Sequence, residues 1–134
     1  MSVNLNALKQ YQSVDLRATI ETASPHKLIS MLLDGALGSL AKAKGSMERE
    51  DIQERTRHLN KASEIVVGLK GSLDIEQGGE VAANLNALYD YMISGIMTAN
   101  RNSDVEKVQE LMNLMLEIKQ GWSEMPNDIQ MDIK

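Results

Sequence analysis

Few side chains in this sequence are of a type that could do chemistry, and their spacing argues against most of it. The two histidines, His26 and His58, fall on different predicted helices. Neither follows a glutamate by three residues, so the Glu-x-x-His pairs with which helical bundles hold paired metal ions are missing. Glu54 and His58 share a helical face at i, i+4, a spacing far more common in solvated contacts than in ligand pairs. Asp74, Glu76 and Glu80 form an acidic cluster, but not at the ligand spacing of a calcium loop. Acids at the start of a helix are accounted for by the macrodipole. Gly78-Gly79 lacks the strand before it and the Lys-Ser/Thr after it that a phosphate cradle needs. No carboxylate lies in a run apolar enough to raise its pKa to a catalytic value. The chain has no cysteine, which excludes disulfides, thiolate metal sites and thiol catalysis. The residues predict no catalytic centre, no metal site and no cofactor.

What remains is apolar surface, and it is ordered around Leu73 to Ala99, LDIEQGGEVAANLNALYDYMISGIMTA. After the paired glycines, Val81, Leu85, Leu88, Met92, Ile96 and Ala99 recur at gaps of 4, 3, 4, 4 and 3. That is a helix with one side buried, and the rest of the chain reads as helices arranged around it. Ser24-Pro25 starts an earlier helix, Ser accepting from orphan N–H groups and Pro having none to satisfy. Its stripe is Leu28, Leu32, Ala36, Leu40, Ala43 and Met47, with Ile29, Leu33 and Leu37 beside it. Gly35 and Gly38 weaken this helix but allow a neighbour to approach. Asp51-Ile-Gln-Glu54 is a capping box for a helix carrying Leu59, Ala62, Val66, Leu69 and Leu73. Ser103-Asp-Val-Glu106 is a second capping box, opening a helix with Val105, Val108, Met112, Met115 and Trp122, widened by Leu111, Leu114 and Ile118.

Nothing alternates with period two, so no sheet is predicted. Connections of a few residues make successive helices antiparallel. The expected fold is all-α: an antiparallel up-down four-helix bundle over 24–125, with a short, mobile N-terminal arm over 1–23 and a tail over 126–134. In the arm, Leu5, Leu8 and Tyr11 recur at helical spacing over too few turns to be stable alone in water.

At 134 residues this is the size of one domain and can bury roughly two thirds of its unfolded surface. The net charge of −5 argues against nucleic acid, whose binders neutralise phosphates with Lys and Arg. No run approaches the ~18 apolar residues of a membrane span, and MSVNLNALKQ is not a signal peptide; the expected address is the cytoplasm. Phe is absent and Met occurs nine times, which suits both a gap-filled core and a surface that adapts to a partner. A bundle helix needs about three apolar positions in seven. The third and fourth helices carry more, in a second stripe of Tyr89, Ile93 and Met97 and of Leu111 and Leu114, with Ile65 beside the seam of the second.

At LDIEQGGEVAANLNALYDYM the sequence closely resembles the flagellin-specific export chaperones, the FliS family. The resemblance covers almost the whole chain. It includes Thr22-Ala-Ser-Pro25, Lys27-Leu28-Ile29, Asp34-Gly35-Ala36, Leu73-Asp74, Gly78-Gly79-Glu80, Asn84-Leu85, Leu88-Tyr89-Asp90-Tyr91-Met92, Ala99-Asn100 and the late Trp122. It implies a helical, non-enzymatic protein without cofactor that binds the C-terminal part of flagellin. Such a protein keeps subunits from polymerising in the cytoplasm and aids delivery to the flagellar type III export gate. By resemblance, an apolar groove holds the client segment, and an N-terminal arm, matched here at Leu8 and Tyr11, lies over it when flagellin is absent. Two positions depart from the family pattern: Leu33 is often aromatic, and Ser94-Gly95 stands where basic residues are frequent, so no electrostatic contact carries over to that face.

The second stripe places the expected groove at Ile65, Leu69, Tyr89, Ile93, Met97, Leu111 and Leu114. The competing expectation is a homodimeric helical module in which the same stripe is a self-interface, or a homodimer that forms only without client.

Overall fold

The computed structural model describes residues 24–125, which form four helices. These are α1 (Pro25–Glu48), α2 (Ile52–Gly71), α3 (Ile75–Asn102) and α4 (Val105–Glu124). There is no strand among the described residues. The arm with Leu8 and Tyr11, and the tail over 126–134, lie outside them. Each helix packs against its sequence neighbours and α1 closes against α4. With linkers only at 49–51, 72–74 and 103–104, this is the up-down bundle expected. The α3–α4 pair makes the least extensive of these contacts.

Each helix starts on a side-chain cap. Ser24 Oγ accepts from the Lys27 N–H at 3.2 Å, with Pro25 in the first turn. Asp51, Asp74 and Asp104 accept from the N–H three residues on, at 3.1, 3.1 and 3.0 Å. The last differs from the sequence expectation, which opened α4 at Ser103. Ser103 is instead left-handed, φ 51°, and closes α3. Its N–H and that of Asp104 reach back to the carbonyls of Asn100 and Ala99, the paired bonds of a Schellman motif. A residue in that conformation cannot also be the extended N-cap of the next helix, so the cap moves on to Asp104. Glu50, φ 57°, and Asp51 build the α1–α2 corner in the same way, their N–H groups bonding to the carbonyls of Met47 and Ser46.

The seam of α1 is as the spacing predicts, with Leu28, Leu32, Ala36, Leu40 and Ala43 buried beside Ile29 and Leu33. On α2, Leu59, Ala62, Val66 and Leu69 are buried, and Ile65 with them. Gly38 faces open space and Gly35 makes an ordinary 3.4 Å contact, so packing requires neither glycine. On α3 the lower half matches at Met92, Ile96 and Ala99, but the upper half is turned. Ala82 and Tyr89 are buried, whereas Val81 is 42% exposed and Leu85 and Leu88 are only half-buried. The buried side chains at 82, 89, 92, 96 and 99, with Gly95 beside them, keep the 3.5-residue repeat of helices packed along their length. Val81, Leu85 and Leu88 drift off that seam.

Candidate binding cleft

The groups that could do chemistry are occupied structurally. His26 stacks on Trp122, ring centroids 5.4 Å apart, and its backbone carbonyl accepts from Trp122 Nε1 at 3.2 Å. His58 Nε2 lies 3.3 Å from Glu54 Oε2, which Arg57 also holds. Desolvation, reinforced by the neighbouring Arg57, nevertheless lowers the His58 pKa. Asp74 is a cap. Among the described residues no group of three or more His, Asp or Glu could hold a metal ion.

Among the described residues the bundle is instead open on one side. Where α3 and α4 meet least, Ile29 and Leu33 of α1 form the floor of a cleft of about 230 Å³. Val81, Leu85, Leu88 and Tyr89 of α3 make one wall; Leu114, Glu117, Ile118, Gly121 and Trp122 of α4, with Met125 beyond, make the other. Among the described residues, Glu117 is the only charged one in this lining. Trp122 is fixed to the start of α1 through His26, and the Lys119–Asp34 ion pair ties the same half of α4 to α1.

Toward the α3–α4 corner the two helices are drawn together. A Cβ on Gly95 would meet Leu111 Cδ2 at 3.0 Å and Lys107 Cε at 3.2 Å, so glycine lets α4 approach here without those side chains having to shift. Outside this contact Lys107 Nζ donates to the Tyr91 hydroxyl at 2.7 Å and lies 4.5 Å from its ring centre. Tyr91 donates to Glu110. The Tyr91 bond raises the Lys107 pKa and lowers that of Glu110. The helices are therefore joined at one end and parted at the other.

Of the residues the sequence assigns to a groove, the structure brings Tyr89 and Leu114 together in the cleft wall. Ile93 is half-buried and Met97 is 63% exposed, both further along α3 and outside the cleft. Ile65, Leu69 and Leu111 differ from the expectation of an outward stripe: they are core, because α2 and α4 each bury a broad face against two neighbours. Tyr89 is likewise packed inward rather than displayed. The sequence reading missed Val81, Leu85 and Leu88 as cleft residues by assigning them to the core. The signal was present in a second register, Ala82, Tyr89 and Ile96, seven residues apart.

No helix among the described residues is long and apolar enough to cross a membrane. A family model described as flagellar protein FliS matches residues 7–128. The chain is 46% identical over 118 residues to flagellar secretion chaperone FliSB of Pseudomonas aeruginosa, covering 88% of this chain and 94% of the relative. It is 39% identical over 120 residues to flagellar secretion chaperone FliS of Salmonella typhimurium, covering 89% of each. To FliS of Bacillus subtilis it is 27% identical over 106 residues, 79% of this chain and 78% of the relative.

Proposed function

The chain belongs to the FliS family of flagellar proteins, and from that membership we propose that it is a cytoplasmic export chaperone for flagellin. It holds flagellin's C-terminal segment, keeps it from polymerising and brings it to the flagellar export gate, without enzymatic activity. The observation that carries this reading is the cleft, whose lining is hydrocarbon apart from the Tyr89 hydroxyl, Glu117, the Trp122 N–H and backbone. It suits the apolar face of an amphipathic helix. Val81, Leu85, Leu88 and Leu114 take up that face, and the half-buried Ile93 and exposed Met97 continue the track along α3. Ile65, Leu69 and Leu111 support it from the core.

Calorimetric titration with a synthetic C-terminal flagellin peptide tests the reading. We expect a 1:1 complex. Leu88→Asp should weaken it more than tenfold, since an unpaired carboxylate in an apolar site costs several kcal/mol at full burial and about 1.4 kcal/mol suffices for a factor of ten. Helical circular dichroism should persist. Met97→Asp and Ile93→Asp, which lie outside the cleft, report how far the peptide extends; unchanged affinity in all three variants would sink the reading.

A further inference from the structure

Tyr89 is the exception in the floor and walls of this cleft. It lines the α3 wall and is only 2% exposed, yet its hydroxyl forms no hydrogen bond among the described residues. Burial alone acts on the phenol, pushing its pKa well above the ordinary range, with no hydrogen bond or charge contributing. Tyr91, two residues on, makes the contrast: its hydroxyl pairs with both Glu110 and Lys107. A buried hydroxyl left unpaired opposes folding, and phenylalanine would fill the same space without that cost. Packing therefore does not account for a tyrosine here.

We propose that Tyr89 is the specificity-determining residue of the cleft, its hydroxyl pairing with a neutral amide or hydroxyl side chain on the apolar face of the bound segment. This rests on the reading that the cleft receives flagellin's C-terminal segment. Tyr89 is part of the wall against which a segment filling the cleft packs. The backbone carbonyls of a helical segment are already bonded within the helix, so the partner is a side chain. A carboxylate would have to be desolvated among aliphatic walls with Glu117 nearby, which disfavours it; Asn, Gln, Ser or Thr remains. Because burial keeps the phenol protonated, it is always able to donate. A site that offers a hydrogen bond at depth rejects segments that leave it unmade, a sharper filter than apolar fit alone.

The experiment is Tyr89→Phe, which keeps the ring and removes only the hydroxyl. Client-free wild type and variant are melted, and both are titrated with the flagellin peptide and with peptides in which each Asn, Gln, Ser or Thr is replaced in turn by Ala. The expected result has opposite signs: a melting temperature unchanged or raised, and peptide affinity about three- to tenfold weaker. One peptide substitution should weaken binding to wild type and add nothing against Tyr89→Phe. A lowered melting temperature would show the hydroxyl already paired, by solvent or by residues outside 24–125, and overturns the proposal. Equal affinity for wild type and variant also overturns it. Failure of wild type to bind the peptide at all removes the chaperone reading itself, an outcome distinct from both.

Discussion

His58 holds a carboxylate partner and still has a lowered pKa, because partial burial on α2 and the cations Arg57, Lys42 and Arg49 outweigh Glu54. The sign of its effect on stability follows from linkage. With the folded pKa below the unfolded value of about 6.5, the unfolded chain takes up the proton first as pH falls. Stability therefore declines from about pH 7 downward through the lowered folded value, and His58 adds no slope above that window. His58→Gln should flatten the pH dependence of urea midpoints between about pH 7 and 5.5, leaving the value at pH 8 little changed. A wild-type slope retained in the variant would mean that His58 contributes none of it, the Glu54 contact offsetting burial and the cations.

At the scale of one helix, α3 owes its course to Gly79. Its φ of 57° and ψ of −134° break the helix one turn in, a region open essentially to glycine. Nothing lies within 4 Å of an added Cβ, so Gly79→Ala tests backbone conformation without steric contact. It should destabilise the protein by on the order of 1–3 kcal/mol. Gly38→Ala, in open space within α1, should stabilise by up to about 1 kcal/mol. Thermal melts that shift in the same direction for both would contradict this assignment. The two glycines also show what a sequence makes legible. Helix number, order and the caps at Ser24 and Asp51 could be read from it, because caps and apolar period are local. Gly78-Gly79, expected as the turn before this helix, is instead a break at Gly79 inside it, since α3 begins at Ile75. The rotation of α3 that puts Ala82 inside and Val81 outside was not legible. Alanine carries almost no hydrophobic signal, and the choice between two registers is made by α1 and α4, not by α3 itself. The assignment of Ile65, Leu69 and Leu111 to an outward stripe failed likewise, since burial on both flanks of a helix looks in sequence like excess apolar surface.

At the scale of the molecule, the cleft is too small to be the whole site. Its 230 Å³ takes a few aliphatic side chains, whereas ordering a flexible segment costs about 1–2 kcal/mol per residue. Offsetting that requires burial on the order of 1,000–3,000 Å², so the client must run beyond the cleft over exposed apolar residues such as Met97 and Leu116. The same surface could be covered from within the chain. His26, in the first turn of α1, stacks on the cleft residue Trp122, so α1 begins beside the cleft. We propose, from the family resemblance, that Leu8 and Tyr11 lie over it and compete with the client. Removing residues 1–15 should raise affinity for the flagellin peptide severalfold by lifting that competition, with sedimentation at low micromolar concentration reporting a monomer that forms a 1:1 complex. Unchanged affinity would mean that the arm is no lid. A dimer that persists with peptide present would assign the exposed stripe to self-association instead, and the two results are separable because one reads affinity and the other mass.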